Sequence, residues 1–69
     1  MRIRLNGREA EAPSGESVEA LLLREGLLRA DRPVAVLRNE RVLPSAERPA
    51  TFLAEGDRIE VLSFLGGGA

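Results

Sequence analysis

The chain has 69 residues, which is enough for one small domain with a thin core. It contains neither cysteine nor histidine, which excludes disulfides, thiol nucleophiles, the usual zinc ligands and histidine general bases. The formal net charge of −1 argues against a nucleic-acid partner. Because no apolar signal segment and no long apolar run occurs, we expect a cytoplasmic protein without membrane attachment.

The N-terminal segment predicts a β-hairpin. Apolar and charged residues alternate over residues 1–5, which is the period of a strand with one buried face. Asn6-Gly7 is a strong signal for a two-residue hairpin turn. Residues 8–12 are the expected return strand, which is weakly apolar and should lie at a sheet edge. Glu9 and Glu11 share one face of it, and a solvated face is expected there rather than acid–base chemistry.

One helix is predicted over residues 18–25. Ser17 is suited to the N-cap position, and Glu19 places a negative charge in the first turn, where the helix dipole favours it. The apolar residues of this segment recur at helical spacing and therefore share one face. Gly26 is expected to end the helix, because glycine readily adopts the left-handed conformation found at this position.

The second half of the chain predicts short strands separated by turns. We expect strands over residues 34–38 and 41–43, joined by a tight turn at Asn39-Glu40. Residues 45–50 are expected to be loop, and residues 51–53 to place a large side chain on the core. A turn over residues 54–57 precedes the last strand, predicted over residues 58–65.

The first and last strands are the most apolar and are expected to be central, adjacent and parallel, with the helix on one face. This pattern alone supports only a small α+β domain. We expect residues 1–65 to form that single domain and residues 66–69 to form a flexible C-terminal glycine tail.

The C-terminal tail carries the strongest functional signal. Three glycines, Gly66 to Gly68, follow the last predicted strand directly and are followed by Ala69. Glycine has no Cβ, so such a tail is slender enough to enter a narrow cleft. Four extended residues span about 13 Å, at ~3.3 Å per residue. This arrangement suits a protein whose terminal carboxylate is itself a substrate.

The last strand also predicts a docking surface beside the tail. Alternation places Ile59 and Val61 on one face and Leu62 and Phe64 on the other. If the helix covers the first face, the second pair is exposed and could bind a partner; the alternative is that a loop half-buries it. The acidic residues near this strand are expected to form a solvated surface that could steer a basic partner. They are Glu55, Asp57 and Glu60.

Taken together, these segments resemble the ThiS family, the small ubiquitin-like sulfur carriers of thiamine biosynthesis. The matching stretches are residues 3–7, 15–22, 34–39, 42–44, 53–61 and 64–68. Their order and spacing cover essentially the whole chain. The resemblance implies a β-grasp (ubiquitin-like) fold, with a mixed sheet of four to five strands and one main helix packed on one face.

The resemblance further implies that the chain is a protein co-substrate rather than an enzyme. An E1-like (ThiF-like) adenylyltransferase would use ATP and magnesium to adenylate Gly68, and a sulfur donor such as a cysteine desulfurase would then supply sulfur. The product would be a C-terminal thiocarboxylate, from which a ThiG-like thiazole synthase takes the sulfur. The chain itself would bind no metal or cofactor. The implied partner-binding residues are Leu62, Phe64, Leu65, Gly66 and Gly67.

Ala69 departs from the family pattern, in which a glycine stands last. Three explanations are open: a peptidase removes Ala69, the alanine is an artefact of cloning or of the gene boundary, or activation occurs on Ala69 itself. We expect Gly68 to be the reactive residue. Other functions remain alternatives. The carrier could serve molybdopterin synthesis, tRNA thiolation or cysteine synthesis, or the chain could be a non-catalytic β-grasp adaptor.

Overall fold

The computed structural model describes residues 1–29 and 31–63, and these form a sheet, one α-helix and one short 3₁₀ helix. In chain order the elements are β1 (Arg2–Leu5), β2 (Arg8–Glu11), α1 (Val18–Arg24), β3 (Val34–Arg38), β4 (Arg41–Leu43), the 3₁₀ helix (Ser45–Ala50) and β5 (Arg58–Ser63). The predicted hairpin, helix and strands are confirmed within an error of two residues. The predicted continuation of the last strand to residue 65 lies outside the described residues.

The strands form one mixed sheet in the order β2-β1-β5-β3-β4. β1 and β5 are parallel, with Leu5 paired to Ile59, and the other neighbouring strands are antiparallel. The first and last strands are therefore adjacent and interior, as predicted, and β2 lies at an edge. A five-stranded mixed sheet with one main helix confirms the expected β-grasp fold.

The core lies between the sheet and α1. Three sheet residues, Ile3, Val36 and Ile59, are at most 1% exposed. They pack with the apolar face of α1, which consists of Val18, Leu21 and Leu22. Burying these side chains is the main source of stability, at about 1.5–3 kcal/mol for each large apolar side chain. The predicted inner face of β5 is thus confirmed at Ile59, and it fixes which face of that strand remains outside.

The helix begins and ends where its sequence signals lie. Ser17 has extended backbone angles, and its Oγ accepts a hydrogen bond of 3.0 Å from the backbone N–H of Ala20. At the other end Gly26 has a φ of +73°, and the next residue, Leu27, donates its N–H to the carbonyl of Leu22 at 2.8 Å. The predicted capping residues therefore satisfy backbone groups that a helix leaves without internal partners.

Removing the N-cap hydroxyl is expected to weaken the fold measurably. The substitution Ser17→Ala should lower the free energy of unfolding by about 1 kcal/mol, because the N–H of Ala20 loses its acceptor. Ser14→Ala is the matched control, since Ser14 lies in an exposed turn and caps no helix. Urea unfolding followed by circular dichroism measures both. Equal midpoints for the two variants would contradict the assigned cap.

Of the two expectations for residues 45–53, the loop is wrong and the core side chain is confirmed. Residues 45–50 form a 3₁₀ helix rather than a loop, since Pro44 starts the turn and Pro49 is tolerated inside so short a helix. Of residues 51–53, Leu53 is 6% exposed and supplies the large core side chain, whereas the aromatic Phe52 is 58% exposed. The reason is register, because the N–H of Leu53 bonds to the carbonyl of Glu16 at 2.8 Å, which turns Leu53 inward and Phe52 outward.

Candidate functional site

The candidate site lies where β5 leads toward the C-terminal residues. β5 is the middle strand of the sheet, and its last residue, Ser63, is paired with Val34 of β3. On the other side of β5, Asn6 of the hairpin turn continues the hydrogen bonding between β1 and β5. Its N–H donates to the carbonyl of Ile59 at 2.9 Å, and its side-chain Oδ1 accepts from the N–H of Val61 at 2.8 Å. The backbone is thus held on both sides to within two residues of the end of β5.

The start of β5 is fixed by a polar network centred on Asp57. Its carboxylate accepts hydrogen bonds from the N–H of Ala54 at 2.8 Å, from Asn39 Nδ2 at 3.0 Å and from Arg38 Nε at 3.1 Å. The Asn39 side chain also accepts from the N–H of Arg58 at 2.9 Å. One carboxylate therefore joins the β3–β4 turn to the first residue of β5.

This network corrects the predicted acidic surface near β5. The Asp57 side chain is only 7% exposed and pairs with Arg38 at 3.0 Å, so it cannot steer a partner. Glu60 is exposed, and Glu55 accepts from the N–H of Arg2 at 3.1 Å. Asn39, expected only as a turn residue, has a φ of +52° and serves in the network as well. The partners of Asp57 in β3 and its turn are 18 and 19 residues away in sequence, which is why spacing did not reveal them.

The stability of the fold should depend on the ionisation of Asp57. Burial raises its pKa, but the hydrogen bonds from Ala54, Asn39 and Arg38 outweigh burial, and the pKa lies below its ordinary value of 3.8. A lowered pKa in the folded state gives stability that is complete above the ordinary value and is lost as the pH falls through the folded value. We therefore expect the wild-type protein to lose stability on acidification below about pH 4, owing in part to this carboxylate.

The variant Asp57→Asn isolates this contribution. At pH 7 it should be less stable than wild type by roughly 1–3 kcal/mol, as is typical when a charged hydrogen-bonding partner is removed. Below pH 4 the difference should shrink. Glu16, whose pKa is lowered by its hydrogen bond from Arg24, is present in both proteins and cancels in the comparison. Urea unfolding from pH 7 to pH 2.5 measures the difference, and a gap that stays constant over this range would contradict the role given to Asp57.

The sheet face opposite α1 carries an apolar surface at the end of β5. Strand register places Leu62 beside Ala35, and Leu37 beside Val42. Leu62 is 52% and Val42 is 71% exposed, while Ala35 and Leu37 are partly exposed. We call these four residues the outer patch. Large exposed aliphatic side chains grouped on one sheet face are typical of a surface that a partner covers.

The structure gathers only part of the predicted site. Leu62 lies on the outer face, as its position in the strand predicts. The remaining predicted residues, Phe64, Leu65, Gly66, Gly67, Gly68 and Ala69, lie outside the described residues. The other three members of the outer patch were not predicted, although the alternation in β3 and β4 could have indicated them once the strand order was known.

Other groups with possible chemistry do not form a site. Glu9 and Glu11 are well exposed and lie near Arg2, at 4.0 and 3.6 Å, as expected for a solvated strand face. Over residues 1–29 and 31–63 there is no group of three or more acidic, histidine or cysteine side chains that could hold a metal ion. The helices in these same ranges are too short to cross a membrane.

Comparison with known proteins gives consistent results. The sequence profile of the ThiS family matches residues 3–68. The chain is 44% identical over 68 residues to a thiazole synthase of Magnetococcus marinus, and 37% identical over 70 residues to a thiazole synthase of Paramagnetospirillum magneticum. The matches cover 99% and 100% of this chain but 20% and 21% of those proteins. The chain thus spans about a fifth of the length of these curated relatives.

A solved structure is also similar. The thiamine biosynthesis protein ThiS from Geobacter metallireducens superimposes with a TM-score of 0.82 at 31% sequence identity. The similarity covers 99% of this chain and 100% of that one. Here, unlike in the two longer relatives, the likeness extends over the full length of both chains.

Proposed function

The chain belongs to the ThiS family, and from this membership we propose that its C-terminal glycine carries sulfur as a thiocarboxylate for thiazole formation in thiamine biosynthesis. The observation that carries the proposal is the family match over residues 3–68, since it extends through the glycines to Gly68. The full-length likeness to a ThiS structure supports it. Proteins of this family are small carriers without catalytic activity of their own.

The proposed chemistry begins at the carboxylate of Gly68. A carboxylate is a poor electrophile, so an E1-like (ThiF-like) partner transfers AMP to it from ATP, with magnesium, and releases pyrophosphate. The sulfur of a persulfide, formed by a cysteine desulfurase, then attacks the acyl carbon and AMP leaves. A thiol reduces the resulting acyl disulfide and releases the thiocarboxylate. The sequence has no cysteine or histidine, which agrees with covalent and acid–base steps carried out by partners.

The chain's own contribution is to present the glycine and to be recognised. β5 is held by β3 as far as Ser63, and on its other side by β1 as far as Ile59 and by the Asn6 side chain at Val61. The outer patch lies on β5, β3 and β4, where a partner that takes up the tail would also contact the sheet. We propose that the activating enzyme binds this patch and that Phe64, Leu65, Gly66 and Gly67 continue the contact.

The proposed sulfur acceptor is a thiazole synthase of the ThiG-like class. Segments similar to this chain make up about a fifth of two proteins named thiazole synthase, as expected if carrier and synthase act together. We place this chemistry in the cytoplasm, where ATP and reduced thiols are present. Neither a nucleic acid nor a membrane is needed for any step.

Transfer of sulfur from the carrier to thiazole synthase tests the proposed pathway. The thiocarboxylated chain should lose its sulfur when mixed with thiazole synthase and its small-molecule substrates, and thiazole phosphate should form. Intact mass of the carrier and chromatography of the product measure the two events. The matched control is the unmodified carrier, which should give no thiazole. If sulfur passed to a molybdopterin precursor and not to thiazole, the proposed pathway would be wrong.

The role of Ala69 is tested by comparing the 69-residue chain with one that ends at Gly68. If Gly68 is the reactive residue, only the shorter chain should support ATP–pyrophosphate exchange by the activating enzyme. Addition of a cell extract containing the trimming peptidase should then restore exchange to the longer chain. Sulfur found on a chain that still ends in Ala69 would contradict the assignment of Gly68.

A further inference from the structure

A second surface lies on the helix side of the sheet, away from the outer patch. It is a groove of about 530 Å³ between α1, the segment leading into β3 and the 3₁₀ helix. Its polar lining consists of Glu19, Arg29, Arg32, Ser45 and Arg48. Three of the ten arginines of the chain therefore border one groove.

Arg48 is the unusual member of this lining. The residue is only 9% exposed, yet its guanidinium forms no ion pair with any carboxylate of residues 1–29 and 31–63. Within these ranges the guanidinium makes one hydrogen bond, which is long, from Nη2 to the carbonyl of Val34 at 3.3 Å. Its Nε is buried and has no partner in the described structure. A guanidinium has five N–H donors, and burying one without an anion is unfavourable, so the groove lacks a negative partner.

Arg32 adds a second charge without compensation. Within the described ranges its guanidinium makes no ion pair and no hydrogen bond, whereas that of Arg29 lies 3.6 Å from Asp31. Ser45 supplies a hydroxyl at the same groove. Glu19 is the one carboxylate of the described lining, and it pairs with none of these arginines. Among the described residues, the groove therefore has two guanidinium groups without a carboxylate partner, that of the buried Arg48 and that of the exposed Arg32.

We propose that this groove binds a phosphate group, either inorganic phosphate or the phosphate of a small ester, through Arg48 and Arg32. A phosphate monoester carries about −1.5 to −2 charges at neutral pH, which matches two guanidinium groups. Arginine binds phosphate oxygens through paired N–H donors, and the Ser45 hydroxyl can donate to a third oxygen. Among the described residues, the lining of the groove includes none of the outer patch.

Titration of ¹⁵N-labelled protein tests the site directly. One arm uses inorganic phosphate and the other glycerol 3-phosphate, with the ionic strength kept constant by sodium chloride. The Nε–H signal of Arg48 and the backbone amides of residues 45–48 should shift and saturate at millimolar ligand. Tighter binding of the ester would identify a phosphorylated metabolite as the ligand, and equal binding would identify the free ion. Shifts that never saturate, or that sodium chloride reproduces, would overturn the proposal.

Charge variants separate this site from general anion attraction. Arg32→Gln should weaken phosphate binding roughly tenfold, the loss expected for one charge-assisted hydrogen bond. Glu19→Gln should strengthen it roughly threefold, because a nearby negative charge is removed. Arg41→Gln, at an exposed position of β4 outside the groove, is the matched control and should change nothing. Arg32 and Arg41 are exposed and Glu19 is partly exposed, so these substitutions leave the buried core unchanged. Equal affinities for all three variants would overturn the site.

Discussion

Removing residues 67–69 is expected to abolish adenylation of the chain while leaving its fold intact. The shortened chain still ends in a carboxylate, on Gly66, but that group lies two residues short of Gly68, about 6–7 Å at ~3.3 Å per residue. Misplacement of a reacting group by even 1 Å costs about 100-fold in rate. We therefore expect ATP–pyrophosphate exchange to fall at least about 1000-fold.

The control for this truncation is the chain that ends at Gly68, which should retain full exchange. Both proteins should unfold at the same urea concentration, because both keep every described residue through Ser63, including the whole core. Complementation in cells provides a second measurement. A truncated chain that still supports growth without thiamine would favour the adaptor function over the carrier function.

A charge placed in the outer patch should sharply weaken recognition by the activating enzyme. Leu62→Glu introduces a carboxylate into the apolar surface formed with Ala35, Leu37 and Val42, and the bound state would have to bury it. Substitutions at central interface residues typically cost 2 kcal/mol or more, so the KM for the carrier should rise by about 30-fold. Steady-state pyrophosphate release at varied carrier concentration measures this.

Leu23→Glu is the matched control for this substitution. Leu23 is 60% exposed, close to the 52% of Leu62, but it lies on α1 on the other side of the sheet. Both variants should have similar thermal stability, and only Leu62→Glu should raise the KM. A similar rise for both, or for neither, would show that the outer patch is not the docking surface.

Local signals in the sequence were sufficient where the structure depends on neighbours in the chain. Asn6-Gly7 predicted the first turn, and Ser17 and Gly26 predicted the limits of α1, because turns and caps are made by residues close in sequence. Alternation in β5 predicted which face Leu62 would occupy. These features fixed the hairpin, the helix and the direction of the outer face.

Features that depend on distant contacts were missed. The 3₁₀ helix is a local element that was also missed, because it contains two residues typical of loops, Ser45 at its start and Pro49 inside it, and has no apolar period. The burial of Asp57 depends on Arg38 and Asn39, which approach it only when β3 pairs with β5. Nothing in the sequence distinguishes Arg48 from the nine other arginines, and only its burial in the fold does so.

Only part of the candidate site could be predicted from the sequence. The glycines were evident because they follow the last predicted strand. Leu62 was evident from its position within that strand. The remaining members of the outer patch come from β3 and β4, so they required the strand order, which places β3 next to β5 although residues 39–57 separate them in the chain. A docking surface whose residues come from several strands cannot be predicted from the sequence of one strand.

The most direct test of sulfur carriage is the intact mass of the chain ending at Gly68 after incubation with the activating enzyme. The mixture contains ATP, magnesium, cysteine and a cysteine desulfurase. We expect the mass to increase by the difference between sulfur and oxygen, and fragmentation to place this gain on Gly68. An unchanged mass, under conditions in which the same enzyme modifies another ThiS-family carrier, would contradict it.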